Sequence, residues 1–288
     1  MTRGESAGDR RPVVAVVGLG LMGGSLCRRL SQGSRPPLIL ASDRDAVQGM
    51  AALESGVVDR VDPDPTSVVA EADVVVYAVP LGATLELFRE HSGLWREDAL
   101  VTDMVSLKGP LLRAAARGGF VDRYVGAHPI CGGEASGFGA GRADLFEGAR
   151  VWLCADPSVS EEVRSRAFGF WQGVGGEAEW IDAEEHDRKM AWVSHLPQLV
   201  ANALAGALHA AGHDPSELGP GGRDMTRLAG SNPEIWRDLL EASAPVTGTG
   251  LTSVSNALNV LADLLARRDV DRIAEFMERT RNWRNGSA

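Results

Sequence analysis

His128 closes the apolar run YVGAH and precedes Pro129. A histidine titrates near neutrality, and open parallel sheets bind their ligands at the carboxyl ends of strands. In that setting His128 is a candidate general base; a structural histidine satisfied by its neighbours is the alternative. Glu134 lies a few residues on, in the glycine-rich stretch GGEASGFGAG. It can orient a histidine or a substrate, or stand in solvent as a loop acid. His195, Gln198 and Asn202 recur at helical spacing on an otherwise apolar segment. Buried polar groups need partners, so this stripe either lines a cleft for a polar ligand or forms an interhelical network. Asp224 and Arg227 are one helical turn apart. Arg227 can grip a carboxylate with two parallel hydrogen bonds, or the two residues pair with each other. The remaining histidines, His91, His186, His209 and His213, read as solvent-facing or incidental. No HExxH occurs and the histidine spacing suggests no metal site.

A second constellation is made of glycine. The segment VVAVVGLGLMGGS places Gly18-x-Gly20-x-x-Gly23 directly after an apolar strand and at the opening of a helix. Gly18 permits the tight turn, Gly20 lets backbone approach a pyrophosphate, and Gly23 lets helix and strand pack closely. Leu21 and Met22 begin the helix, whose free amides and positive dipole end face the phosphates. Asp43 follows the next strand and can accept hydrogen bonds from ribose hydroxyls. Its charge repels a 2'-phosphate, which favours NAD over NADP. Arg44 beside it pulls the other way, and a plain helix cap is the alternative role for Asp43. Val79 and Pro80, ending the strand VVVYAV, are further candidate cofactor contacts.

These residues need a frame. Short apolar strands over 13–17, 38–41, 74–79, 100–102, 124–127 and 151–154 alternate with helical stretches, which argues for a mostly parallel sheet covered on both faces. The expected fold is α/β, a Rossmann-type parallel-sheet domain over 1–155 followed by an all-helical domain over 156–288. In the second part, 161–173, 225–228, 233–242 and 252–266 read as helices. Residues 182–211 read as one long helix bent at Pro197. Val270, Ile273, Phe276 and Met277 mark a last amphipathic helix.

The chain has 288 residues, 44% hydrophobic and 24% charged, with a formal net charge of -10. That is a globular composition whose field repels nucleic acid and anionic membranes. Cys27, Cys131 and Cys154 are far apart and form no CxxC pair, so a reducing compartment is expected. With no secretory leader and no long apolar run, the expected location is cytoplasmic.

The motifs together resemble the prephenate dehydrogenase family over nearly the whole chain. The matching pieces are GLGLMGGSL, TDMVSLKG, GAHPICGGEASG, VSHLPQ and GGRDMTRLAGSNPEIWRDLL, in family order. The resemblance implies NAD(P)-linked oxidative decarboxylation of prephenate or its transaminated form arogenate, and a helical domain through which two copies dimerise. It implies His128 as the catalytic base and Ser106 as the serine that hydrogen-bonds to that histidine, the substrate hydroxyl and the cofactor. His195 joins the catalytic set in the substrate pocket. Arg227 grips a substrate carboxylate, Glu134 stands near the pocket mouth and Asp224 helps the arginine. The family often has a second histidine where this chain has Gln198, which offers an amide but no titratable proton. A paralogue acting on 4-amino-4-deoxyprephenate and a non-catalytic NAD-binding scaffold are the competing readings. No regulatory module is expected after the helices.

Overall fold

Each residue of the strand β1 (Val13–Val17) is buried, because a central parallel strand is covered on both faces and must be apolar throughout. The computed structural model describes residues 10–133 and 135–286. Around β1 lie β2 (Leu38–Ser42), β3 (Arg60–Val61), β4 (Val74–Tyr77), β5 (Leu100–Asp103), β6 (Tyr124–Pro129), β7 (Arg150–Cys154) and β8 (Glu177–Trp180). They form one sheet in the order β3-β2-β1-β4-β5-β6-β7-β8. All neighbours are parallel except β6 and β7. The strand order reverses between β1 and β4, and that switch point opens a crevice at the carboxyl ends of the strands.

The pleat sorts the core into two layers. Val14 and Val16 join Ile39, Ala41 and Val76 on one face. There they meet α1 (Leu21–Ser31), α2 (Ala46–Glu54) and α6 (Glu161–Gly173), through Leu26, Ala52 and the fully buried Trp171. Val13, Ala15 and Val17 join Leu40, Val75 and Val101 on the other face. That face is covered by α3 (Pro65–Val69), α4 (Leu81–His91) and α5 (Gly109–Gly118). Edge-to-face contacts among Tyr77, Phe88, Trp95, Phe120 and Tyr124 lock α4 onto β4 and β6. Each such pair adds about 0.5–1.5 kcal/mol beyond its buried area.

The chain divides into two compact units. The first holds residues through Met190 together with Ser231–Ala242, and the second holds Ala191–Gly230 and Ser243–Ala288. The sheet therefore runs well past residue 155, where the change of texture suggested a division. The part after 155 is not all helical either, because it contributes β8. That strand is short, acidic and largely exposed at the sheet edge, so its sequence lacks the apolar signature of its neighbours. Asp182 then starts α7 (Ala183–Met190) by accepting the amides of Glu184 and Glu185 at 2.9 and 3.0 Å.

The second unit contains α8 (Leu196–Ala210) and α9 (Pro220–Thr226). The 34-residue α10 (Pro233–Ala266) begins in the first unit and ends in the second, and α11 (Val270–Arg284) closes the described chain. Residues 183–210 are helical without a break, as expected, and the irregularity falls just before Pro197, where Ala191–His195 form a π-helical turn. The stretch SAPVTGTGL looks like a break but is continuous helix, with Pro245 inside it. Its small residues serve close packing: a Cβ on Gly250 would lie 3.1 Å from Leu196 Cδ2.

Candidate active site

The turn after β1 shows why three glycines stand there. Gly18 has φ +99°, and a Cβ on it would lie 2.5 Å from the Ala78 carbonyl and 2.6 Å from Val79 Cγ1. A Cβ on Gly23 would lie 1.9 Å from the Gly18 carbonyl, so helix and turn touch backbone to backbone. A Cβ on Gly20 would meet nothing within 4 Å. Gly20 is also the N-cap of α1 and supplies no side-chain cap. Leu21 and Met22, both half-buried, follow it. An uncapped helix start with open space in front of it is a ready site for a pyrophosphate. Asp43 braces this turn. Its carboxylate accepts the Leu19 amide at 2.6 Å and the Asp45 amide at 2.8 Å. The helix cap is Asp45, which accepts the Val47 amide. Arg44 is exposed, Val79 half-buried, and Pro80 N-caps α4.

At the other end of the parallel run, β6 presents His128, half-buried, opposite Trp152 on β7. His128 Nδ1 lies 3.0 Å from His186 Nε2. His186 Nδ1 lies 2.8 Å from Asp187 Oδ1. Asp187 in turn accepts the backbone amides of Lys108 and Gly109, each at 2.8 Å. It thereby caps α5, whose own N-cap residue Lys108 supplies no side-chain cap. Burial pushes the Asp187 carboxyl up, but hydrogen bonds from His186 and the two amides outweigh it and hold the group below its ordinary range.

Beneath this row lies a buried ion pair. Lys108 and Asp103 are both fully buried and joined directly. The ammonium also donates to the Ala127 carbonyl at 2.7 Å, and Asp103 accepts the Tyr124 hydroxyl at 2.7 Å. This ties β5, the start of α5 and β6 together one residue before His128. Gly126 is small because a Cβ would lie 2.9 Å from the Tyr124 hydroxyl and 3.0 Å from Lys108 Cδ. Ser106 sits on the loop between Asp103 and Lys108, half-buried. Among the described residues no hydrogen bond joins it to His128, whose Nδ1 is turned to His186.

In the second unit, His195 is buried and its Nδ1 lies 3.0 Å from Ser243 Oγ. Gln198 donates to Asn202 Oδ1 at 2.8 Å and to the Leu228 carbonyl at 2.7 Å. Both hydrogens of its amide are thus spent on bracing α8 and the segment that carries Arg227. Asp224 and Arg227 are exposed, and no ion pair joins the two among the described residues. Glu134 lies outside the described residues.

Two histidines correct the sequence reading. His186 is neither solvent-facing nor incidental, being fully buried and bonded to His128 and Asp187. His91 is also fully buried, with Nδ1 at 2.8 Å from the Tyr77 hydroxyl. His209 is exposed as expected, and His213 meets Glu217 at 3.0 Å on the surface. His186, Asp187 and Lys108 carried no role in the sequence reading. The His-Asp dipeptide in the middle of a polar helix was the one available signal, and nothing in its spacing points to a residue 58 positions away.

A glycine turn at the switch point of a parallel sheet, with a histidine at the carboxyl end of a strand in the same sheet, defines a dinucleotide-fold oxidoreductase. The family model for the nucleotide-binding domain of prephenate dehydrogenase matches residues 26–179, and the model for its dimerization domain matches 182–279. The chain belongs to the prephenate dehydrogenase family. It is 29% identical to the prephenate dehydrogenase of Lactococcus lactis over 272 residues, covering 92% of this chain and 74% of that one. It is 27% identical to the cyclohexadienyl dehydrogenase of Zymomonas mobilis, covering 94% of each. The Aquifex aeolicus prephenate dehydrogenase, solved with hydroxyphenyl propionate and NAD+, superposes with TM-score 0.88 at 28% identity, over 98% of this chain and all of that one.

Proposed function

We propose that this chain oxidises and decarboxylates prephenate to 4-hydroxyphenylpyruvate with NAD as the hydride acceptor. The observation that carries the reading is the placement of His128 and the glycine turn at the carboxyl ends of strands in one sheet, parallel from β3 through β6. The open space before Gly20 and the uncapped start of α1 fit a dinucleotide. Asp43 favours a free ribose over a 2'-phosphate. When bound, the nicotinamide takes the hydride from ring carbon C4 of the substrate.

His128 takes the proton of the C4 hydroxyl as that carbon becomes carbonyl-like, and must be neutral beforehand. Ser106 orients the hydroxyl. Arg227 holds a carboxylate, a task suited to a fork that stays charged, with Asp224 beside it. His195, held at Ser243, belongs to the proposed catalytic set, and Gln198 steadies the segment of Arg227. Carbon dioxide leaves C1 and the ring becomes aromatic, which drives the reaction forward. Arogenate differs from prephenate by one amino group in place of a keto group, and the same residues serve it.

The second unit leaves Leu258, Leu265, Met277 and Trp283 exposed. This supports a homodimer through α10 and α11. Among the described residues no helix is long and apolar enough to cross a membrane.

The test is formation of reduced nicotinamide with prephenate, arogenate and 4-amino-4-deoxyprephenate side by side, each with NAD and NADP. The proposal expects the highest kcat/KM with prephenate and NAD. Turnover of the amino-ring compound alone, or better use of NADP, overturns it.

A further inference from the structure

We infer that His186 and Asp187 are positioning residues that fix the tautomer of His128, so that its basic lone pair lies on Nε2. The inference rests on the reading of His128 as the base.

Asp187 accepts two backbone amides and faces His186 Nδ1. A carboxylate in that position is an acceptor only, and the start of α5 favours its negative charge. Its ionised form is also the one the surrounding hydrogen bonds sustain. His186 Nδ1 must therefore donate. A neutral imidazole has one donor and one acceptor nitrogen, so His186 Nε2 accepts. The atom it faces is His128 Nδ1, at 3.0 Å, which must then carry hydrogen. That leaves the lone pair of neutral His128 on Nε2. Each bond determines the next, and the polarity of the row is set by a carboxylate anchored to backbone.

The same row serves the charged state. When His128 Nε2 takes the substrate hydroxyl proton, the oxygen's electron pair forms the C4 carbonyl and the hydride leaves C4 for nicotinamide. Nδ1–H keeps donating to His186, so no second proton moves. Other charged groups lie close to the row. Lys108 is held by Asp103 and the Ala127 carbonyl. Lys189 stacks over Trp152, the register partner of His128, at 4.7 Å. Arg113 flanks Gly109 on the side where Asp187 lies.

The test combines spectroscopy and kinetics on the full chain with NAD bound. Nitrogen NMR of the imidazoles should show neutral His128 with hydrogen on Nδ1. Hydrogen on Nε2 in the wild type overturns the inference without any activity measurement. His186→Phe should lower kcat for prephenate at least about tenfold, part of the roughly 10²–10⁴-fold that a general base supplies, with KM nearly unchanged. The acid limb of its kcat/KM profile should move to lower pH, since the imidazolium loses its acceptor. His186→Gln, whose amide oxygen can accept from His128 Nδ1, should recover most of the lost kcat. A loss confined to KM, or equal defects in the two variants, overturns the relay. His128→Asn separates the two readings. If it abolishes turnover while His186→Phe does not, the base stands and the relay falls. If His128→Asn retains kcat, the base reading fails and takes the relay with it.

Discussion

The Lys108 ammonium donates to the carbonyl of Ala127, the residue before His128, across 2.7 Å of fully buried space. A lysine in that position is framework: its charge is spent on Asp103 and its reach ties α5 to β6. Lys108→Met should destabilise the fold by about 3–5 kcal/mol, because it strands the Asp103 carboxylate without its cation. Denaturant unfolding measures this. The double variant Lys108→Met with Asp103→Asn should be less costly than Lys108→Met alone, and an equal or greater loss would remove the ion pair from the account.

The glycines of the turn should separate stability from binding. Gly23→Ala forces a Cβ to within 1.9 Å of a carbonyl, so it should lower Tm steeply even without cofactor. Gly20→Ala meets no protein atom and should melt like the wild type alone. It should then lose much of the Tm gain that NAD confers on the wild type. Thermal melts with and without NAD distinguish the two, and equal behaviour would contradict the assignment of space before Gly20.

Arg227→Ala should raise KM for prephenate at least about tenfold, since a charged hydrogen bond is worth roughly 1.5–3 kcal/mol. The affinity for NAD should stay nearly constant. Steady-state kinetics and a separate NAD titration check both halves. A folded variant with unaltered KM would make Arg227 structural.

His91 should make stability depend on pH. It is fully buried, and desolvation holds its pKa below the ordinary value of 6.5. The nearby acids Glu90 and Asp64 oppose that shift but do not cancel it. As pH falls below about 6.5, the unfolded chain takes a proton that the folded chain refuses, so stability drops. The contribution is at most about 1.4 kcal/mol per pH unit, down to the folded pKa. His91→Gln keeps an acceptor for the Tyr77 hydroxyl and removes the titration. Its unfolding free energy should be flatter between about pH 7 and about pH 5 than that of the wild type, and parallel curves would refute the role of His91.

Local pattern was enough to read much of this chain. The run at 13–17, the glycines at 18, 20 and 23, and the apolar strands at 38, 74, 100, 124 and 151 each carry their structure in a few neighbouring residues. Burial on both faces demands an unbroken apolar strand, and a positive φ or a backbone contact demands glycine. His128 was legible as a candidate because it ends such a strand. Tertiary structure alone decided what His128 touches. His186 is 58 residues away in sequence, on a helix whose polar composition suggests solvent, and Asp187 reaches back to an amide 79 residues earlier. Such pairs leave no periodic trace, because their spacing is set by how α5 and α7 cross the sheet rather than by any local repeat. The same holds for β8, a strand only because β7 offers it an edge, and for the glycine-bearing stretch of α10, helical because close packing outweighs its weak propensity.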